Sequence, residues 1–150
     1  MPRRRPRAPP AKRGRQRLAM DLEPADAEHL LTLLIGAGHL ARSHGSFAQA
    51  RQLFEQLRIA FPDRASPWMG LALLEIDRHD YARAASHCRA ALAQAPGYAL
   101  ALAWLGVCQF ALDEASLAAT TFRSVRELDS AAAARLAETM LQLMAELDRA

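Results

Sequence analysis

The sequence has few of the features that mark a membrane protein, a disulfide-rich protein or a metal protein. It holds only two cysteines and one lysine, and it has no run of eighteen or more uncharged apolar residues. The lack of such a run argues against a membrane span. Cys88 and Cys108 are too few for a disulfide framework and fit no metal-binding spacing. Both fall within helical patterns, so we expect buried, reduced thiols that act as small apolar fillers.

Groupings of residues that suggest catalysis are also lacking. The five histidines do not share a helix face at the spacing of metal ligands; they are His29, His39, His44, His79 and His87. The glycine pair at positions 36 and 38 lies in a helical pattern without a preceding strand, which argues against a phosphate-binding loop. No serine, cysteine or carboxylate pair is arranged like a catalytic centre. We therefore predict a protein that is not an enzyme and has no cofactor or metal.

Charge divides the chain into two parts. Residues 1–19 contain eight basic side chains and no acidic one, which leaves eleven basic and sixteen acidic residues for the remainder. Four prolines and little apolar surface predict a disordered tail over residues 1–22, followed by one folded domain over residues 23–150. No apolar segment follows the arginines, so the tail is not a secretory signal, and we expect a cytoplasmic protein.

The tail allows three interpretations. It could bind nucleic acid or an anionic membrane surface through its charge. It could also be a solvated leader without a role, or Met20 could be the true start of translation. No functional prediction should therefore depend on the tail alone.

The folded part repeats itself at an offset of 34 residues. The recurring positions are Gly38, Ala72 and Gly106; Ala50, Ala84 and Ala118; Phe47 and Tyr81; Phe54, Cys88 and Phe122; and Pro62 and Pro96. Self-similarity at this period is typical of repeat architectures, in which each unit buries its apolar face against its neighbour.

Each repeat contains two amphipathic helical patterns. Helix signals include Ser46 with Gln49 as a capping box, Ser66 before Pro67, and the aspartates Asp80 and Asp113. We predict helices near residues 24–44, 46–60, 66–78, 80–94, 98–111, 113–128 and 131–148. No segment is predicted to be a strand, so the predicted fold is all-α.

The pattern resembles the tetratricopeptide repeat family. The small residues Gly38, Ala72 and Gly106, the alanines Ala50, Ala84 and Ala118, the rings Phe54 and Phe122 and the closing prolines Pro62 and Pro96 match in register. The resemblance implies a right-handed α-solenoid of three helix pairs, with repeats at about 31–64, 65–98 and 99–130 and a capping helix at 131–148. The chain departs from the family pattern at several positions: Leu34 and Leu102 stand in the place that Trp68 holds in the second repeat, Glu75 and Gln109 stand where an aromatic is usual, and Ser130 replaces the third proline.

The helix PWMGLALLEI is apolar on two sides. With a rotation of 100° per residue, one face of this helix packs on the partner helix, and it consists of Trp68, Leu71, Ala72 and Glu75. Leu105 lies on the corresponding face in the next repeat. A second face follows about 110° away. In this family the second face lines a concave groove, which predicts nine groove residues: Ile35, His39, Arg42, Met69, Leu73, Ile76, Ala103, Val107 and Phe110.

The resemblance further implies a protein partner, bound as an amphipathic helix or an extended apolar segment. Family members that hold the acidic C-terminus of a heat-shock chaperone carry a clamp of lysines and asparagines. Here those positions hold Ile35, Met69 and Ala103, and His39, Leu73 and Val107. Size, repeat number and groove character are similar to the small chaperones of bacterial type III secretion, which hold needle or translocator subunits.

Three alternatives stay open. The groove residues could be covered by the last helix or by the N-terminal segment, so that they only widen the core. The chain could form a homodimer. It could also be an adaptor recruited to nucleic acid or membrane through residues 3–17.

Overall fold

The computed structural model describes residues 22–150, which form seven α-helices and no strand. The helices are α1 (Pro24–Ser43), α2 (Phe47–Ala60), α3 (Ser66–Asp77), α4 (Tyr81–Gln94), α5 (Ala99–Ala111), α6 (Ala115–Val125) and α7 (Ala131–Leu147). This confirms the all-α fold of three helix pairs and a final helix. The predictions of a disordered tail and of an alternative start at Met20 fall on residues 1–21 and lie outside the described residues.

Each helix packs mainly on its neighbours in the chain. The pairs α1–α2, α3–α4 and α5–α6 are joined by short turns, and α2–α3 and α4–α5 contacts join one pair to the next. The final helix α7 packs on both α5 and α6. This arrangement buries one apolar face of each helix between successive pairs, as a stacked repeat requires.

The turn inside each pair uses the left-handed backbone region. Gly45 has φ 75°, His79 has φ 60° and Asp113 has φ 63°, and these three residues are 34 positions apart. Only glycine adopts this conformation without steric cost. His79 therefore occupies the left-handed position of the turn in the second pair, as Gly45 does in the first.

Two helix starts differ from the prediction. Asp113 does not begin α6, because its left-handed backbone places it in the turn and Glu114 becomes the N-cap. Ser46 stands at the N-cap of α2 but makes no side-chain capping hydrogen bond. By contrast, the carboxylate of Asp80 accepts a hydrogen bond from the backbone N–H of Arg83 at 3.1 Å, as expected of a cap.

Two further ends of helices also differ. Ser66 lies inside α3 and Ala65 is its N-cap. The sixth helix ends at Val125 rather than near residue 128, because the next residues form short turn hydrogen bonds to carbonyls three positions back. Ser130 caps α7 by accepting a hydrogen bond from the backbone N–H of Ala133.

Most of the predicted repeat residues are buried. Those without significant exposure are Gly38, Ala50, Phe54, Leu71, Ala72, Ala84, Leu105, Gly106, Ala118 and Phe122. Trp68 is half-buried, with the Arg58 guanidinium over its ring at 4.8 Å. Pro62 and Pro96 are exposed in the turns between pairs, where they end helices rather than fill the core.

Polar side chains replace an aromatic at two buried positions. Glu75 is 1% exposed, and its Oε1 lies 2.5 Å from Nη2 of Arg51 on α2. Gln109 holds the same position one repeat later, and its Oε1 accepts a hydrogen bond from the Thr121 hydroxyl at 2.7 Å. The departures from the family pattern at these positions are thus accommodated by local polar partners.

Candidate functional site

The nine predicted groove residues lie on α1, α3 and α5, the first helices of the three pairs. Seven of them are partly buried: Ile35, His39, Arg42, Leu73, Ile76, Val107 and Phe110. We name these seven the groove face. They combine partial exposure with contact to the core, which is the pattern of a surface that could take a partner.

Met69 and Ala103 do not belong to this surface. Met69 is 4% exposed and packs with Ala101 and Leu105, which lie on α5. Ala103 is fully buried in the cluster formed by α5, α6 and α7. This corrects the predicted groove lining at two positions, because close helix packing encloses both side chains.

The end of the groove face formed by α1 is polar. Nη1 of Arg42 lies 2.6 Å from Oδ2 of Asp77, an ion pair that joins α1 to α3. His39 is one turn before Arg42, and its ring centroid lies 5.3 Å from that of Phe54. Asp77 was missed by the sequence reasoning, although it lies one repeat plus one residue after Arg42 and so falls beside it on the next first helix. Arg42 is therefore not a free anion site.

Burial controls the protonation of His39. Loss of solvent lowers its pKa below the usual 6.5 and the Arg42 charge lowers it further, whereas Asp77 acts in the opposite direction. Its Nδ1 atom is buried and has no hydrogen-bond partner among the described residues. The ring is accordingly favoured in its neutral form. The charges at this end of the groove face are then those of the Arg42–Asp77 ion pair, which balance each other.

The middle and the far end of the groove face are apolar. Leu73 and Ile76 pack at the edge of the cluster between α3, α4 and α5. Val107 and Phe110 pack at the edge of the next cluster, together with Leu136, Met140 and Met144 of α7. The final helix therefore covers part of this face at the third pair, which the sequence left open as an alternative.

A cleft adjoins Phe110 on the side of α6 and α7. Its volume is about 470 Å³, and its apolar lining consists of Phe110, Ala115, Ala119, Met144 and Leu147. Arg123, Asp148, Ser116 and Thr120 supply polar atoms at its walls. The cleft extends the apolar surface beyond the seven residues of the groove face, and the sequence pattern did not reveal it.

The described residues contain no group of three or more histidine, cysteine or acidic side chains that could hold a metal ion. No helix within residues 22–150 is long and apolar enough to cross a bilayer. The described side chains of the groove face offer apolar contact, the Arg42–Asp77 ion pair and the imidazole of His39.

Comparison with known proteins identifies the architecture. Two models of the tetratricopeptide repeat match the chain, one at residues 35–99 and one at residues 75–143. Together they span residues 35–143, from the second half of α1 to most of α7. Among curated proteins, none matches the sequence significantly.

Solved structures of similar fold include three informative ones. The first repeat domain of Spaghetti (RPAP3), bound to an HSP90 peptide, is 20% identical, with a TM-score of 0.69 over 80% of this chain and 94% of that one. The Arabidopsis OM64 domain is 18% identical, with a TM-score of 0.65 over 75% and 93%. A chain of the CopN–Scc3 complex is 15% identical, with a TM-score of 0.64 over 82% and 71%. At these identities the likeness concerns the fold, and it confirms the predicted α-solenoid.

Proposed function

The chain belongs to the tetratricopeptide repeat family of protein-binding modules, and we propose that it is non-catalytic and holds an apolar segment of a partner protein on its groove face. The observation that carries this proposal is the set of partly buried apolar side chains on α3 and α5: Leu73, Ile76, Val107 and Phe110. An amphipathic helix laid along such a surface buries apolar residues at helical spacing. Repeats at 31–64, 65–98 and 99–130, with a capping helix at 131–148 and a tail at 1–22, are the domain division we propose.

The partner chemistry differs from that of several fold neighbours. Structures of similar fold hold peptides of HSP90 and HSP70. The family's cationic clamp is absent here, because its positions hold Ile35, His39, Leu73 and Val107 together with two buried residues. The one arginine of the groove face, Arg42, is already paired with Asp77. An acidic peptide would therefore meet no unpaired positive charge on this face.

Energetics indicate that the site must extend beyond the four apolar side chains. Full burial of each side chain would contribute about 1.5–3 kcal/mol. Roughly half of that burial is already present in the folded chain, so the four side chains together would add about 3–6 kcal/mol to the binding free energy. A micromolar complex needs about 8 kcal/mol after the costs of ordering the ligand. The cleft between Phe110, Met144 and Leu147 offers adjoining surface that would add to this total.

A narrower role is that of a cytoplasmic chaperone. In this role the chain masks an apolar or amphipathic segment of a secreted subunit, such as a needle or translocator subunit of type III secretion, until export. Three helix pairs, the small size and an apolar groove without a cationic clamp support this narrower role. The CopN–Scc3 fold neighbour is compatible with it but is similar in fold alone.

The groove proposal is tested by charge substitution at matched sites. Leu73→Glu places a carboxylate on the groove face, whereas Leu117→Glu places one on α6, where the leucine is 48% exposed and lies outside the groove face. The partner is first identified by co-purification with the wild-type chain from the native host and mass spectrometry. We expect Leu73→Glu to lose the partner at unchanged helicity and Leu117→Glu to retain it.

Two results would contradict the groove proposal. If Leu117→Glu lost the partner to the same extent as Leu73→Glu, the groove face would not be the site. If Leu73→Glu unfolded by circular dichroism, Leu73 would be a core residue. Phe110→Glu then provides the second variant, because Phe110 lies at the wall of the cleft.

Two alternatives rest on separate observations. Leu33 and Leu40 are each 59% exposed on α1, one above the other, and would favour a homodimer through that helix. Sedimentation of the wild type and of Leu40→Glu distinguishes monomer from dimer.

The basic residues of segment 3–17 would favour an adaptor recruited to nucleic acid or an anionic membrane. Deletion of residues 1–19 and a salt titration of binding test that role, since charge-driven binding weakens steeply with salt.

A further inference from the structure

One side of α1 carries the most exposed large apolar side chains of residues 22–150. Leu33 and Leu40 are each 59% exposed. Gly36 and Ala37 are also exposed and lie between them on the same side, because residues three and four apart share one face of a helix. We name these four residues the outer face of α1. The groove residues of α1 lie roughly 160° away around the helix, so the two surfaces are separate.

The outer face of α1 occupies the repeat positions at which one pair stacks on the pair before it. The equivalent residues are Pro67, Gly70, Leu71 and Leu74 on α3, and Ala101, Trp104, Leu105 and Cys108 on α5. Leu71 and Leu74 are fully buried in one cluster with residues of α2, and Leu105 and Cys108 are buried in one cluster with residues of α4. The described residues contain no pair before α1. Because a repeat array needs a polar surface at its ends to stay soluble, this apolar end indicates a surface that is covered by something else.

The space over Gly36 is open. In the second pair the ring of Phe54 fills the equivalent space, since a β-carbon added to Gly70 would lie 2.5 Å from that ring. No atom lies within 4 Å of a β-carbon added to Gly36. Gly36 and Ala37 therefore form a shallow hollow between two leucines, in which another helix can approach α1 closely.

We propose that the outer face of α1 binds the outer face of a second copy of this chain, with the two helices antiparallel and crossing at Gly36 and Ala37. The pattern of the face is the same in both directions, with a leucine three positions outside each of the two small residues. An antiparallel contact therefore places Leu33 against Leu40 of the second copy, and Gly36 against Ala37 of the second copy. Such a two-fold contact uses one surface twice and closes at two copies.

Charge favours the antiparallel orientation. Asp26 and His29 near the start of α1 and His44 at its end are exposed and continue the outer face at helical spacing. The antiparallel contact brings Asp26 within about one helical turn of His44 of the second copy. A parallel contact would place Asp26 against the same carboxylate of the second copy, which is unfavourable. The antiparallel order also opposes the two helix dipoles.

Other segments of the chain fit the outer face less well. The exposed side chains of α7 include Leu143 and Leu147 but are mostly polar: Arg135, Glu138, Thr139, Gln142 and Glu146. A head-to-tail contact of α1 with α7 would therefore place charged groups over leucines. Residues 1–19 contain eight basic side chains and four prolines and have little apolar surface to cover the face. The best match for this apolar surface is the surface itself.

The dimer leaves the groove face of each copy free. Ile35, His39 and Arg42 lie on the opposite side of α1, and the apolar part of the groove face lies on α3 and α5. Two copies could then hold two partner segments. Dimer formation is therefore independent of the proposed partner binding, and the two can be tested separately.

Sedimentation equilibrium of the full chain over a range of concentrations tests the dimer. We expect a mass that rises to twice the 16.5 kDa of the chain and no further. Leu40→Glu and Leu33→Glu should raise the dissociation constant of the dimer by at least about 100-fold, because each dimer would bury two carboxylates. Leu117→Glu is the matched control, since Leu117 is 48% exposed on α6, and it should remain dimeric.

Disulfide crosslinking tests the orientation of the two helices. Ala37→Cys lies beside the two-fold axis and should crosslink two copies under mild oxidation. Asp26→Cys should not, because the two introduced thiols would be roughly 30 Å apart in the antiparallel dimer. The wild type supplies the baseline, since Cys88 and Cys108 are buried.

Four results would overturn the proposal. A wild type that stays monomeric at every concentration has no such contact, and if it dimerises only after deletion of residues 1–19, that segment covers the outer face. A mass that grows beyond two copies indicates a head-to-tail contact. Efficient crosslinking of Asp26→Cys indicates a parallel pair. If Leu73→Glu becomes monomeric and Leu40→Glu stays dimeric, the dimer uses the groove face instead.

The variants also separate this proposal from the partner-binding role. Leu40→Glu should be monomeric and retain the partner, whereas Leu73→Glu should lose the partner and remain dimeric. Circular dichroism checks that each variant is folded. If one leucine variant does not fold, the other and the Ala37→Cys crosslink still decide the result.

Discussion

The ring of Phe54 occupies the space that a β-carbon on Gly38 would need, so α1 and α2 reach their observed distance only because residue 38 is a glycine. The same ring also lies against Gly70 on α3, where an added β-carbon would be 2.5 Å from the ring. One phenylalanine therefore fills the gap between three helices. Phe122 and Gly106 repeat the first of these contacts in the third pair, where an added β-carbon would be 2.6 Å from the ring.

The contact between Phe54 and Gly38 predicts that alanine substitutions at two nearby glycines change the free energy of unfolding in opposite directions. Gly38→Ala should lower the free energy of unfolding by about 1–3 kcal/mol, because the ring must shift in a full core. Gly36→Ala is the matched control, since nothing lies within 4 Å of its added β-carbon, and it should raise the free energy of unfolding by about 0.5–1 kcal/mol through helix propensity. Urea denaturation measures both. Equal shifts in the two variants would contradict the role assigned to Phe54.

The period of 34 residues predicted much of the fold, because it marks the positions at which every helix pair needs a small or a large side chain. Gly38, Phe54 and Phe122 follow from it directly. Gly70 does not, since its equivalents are Gly36, which faces open space, and Trp104. The relevant relation runs between pairs, from Phe54 to Gly70 and from Cys88 to Trp104, each sixteen residues apart. Phe54 lies against Gly70, and the equivalent positions one repeat later hold a small residue followed by a large one. An alignment of repeats at one offset does not reveal this relation.

The groove face was less predictable. A helical wheel gives the direction of Met69 but not how closely α5 approaches it, so its burial against Ala101 and Leu105 depends on packing that the sequence pattern does not encode. The Arg42–Asp77 pair was missed for a related reason, because its partners belong to two different repeats. The cleft beside Phe110 depends on where α7 ends, which no repeat position specifies.

The buried pair of Arg51 and Glu75 makes a second prediction. Arg51→Met leaves the Glu75 carboxylate buried without its counter-charge, so we expect a loss of about 1–3 kcal/mol in the free energy of unfolding, less than for a fully enclosed pair because Arg51 is 29% exposed. The double variant Arg51→Met, Glu75→Leu should recover most of this loss, since no charge then remains buried. A double-mutant cycle by urea denaturation measures the coupling. A double variant less stable than Arg51→Met would show that Glu75 has another essential partner.

The left-handed turn residues make a third prediction. Asp113→Gly should raise the free energy of unfolding by about 0.5–1 kcal/mol, because glycine adopts a positive φ without steric cost. Gly45→Ala at the equivalent turn should lower it by a similar amount. Thermal melts of the two variants and the wild type provide the measurement. If Asp113→Gly were destabilised, the aspartate side chain would contribute more to the turn than its backbone conformation costs.

Partial burial of two histidines predicts a loss of stability in mild acid. Burial is the main cause that lowers the pKa of His39, which Arg42 and Asp77 face, and of His87, which faces Glu75, Glu55, Arg51 and Arg83. In the unfolded chain these histidines titrate near pH 6.5, whereas in the folded chain they titrate at lower pH. The unfolded chain therefore binds more protons in this range of pH. The free energy of unfolding is then constant above about pH 7 and falls as the pH drops through 6.5 towards the lowered pKa values. Urea midpoints at about pH 7.5 and 5.5 measure the difference. His39→Gln combined with His87→Gln should reduce it, whereas the exposed His29→Gln should leave it unchanged; an equal acid loss in all three proteins would assign the effect to other groups.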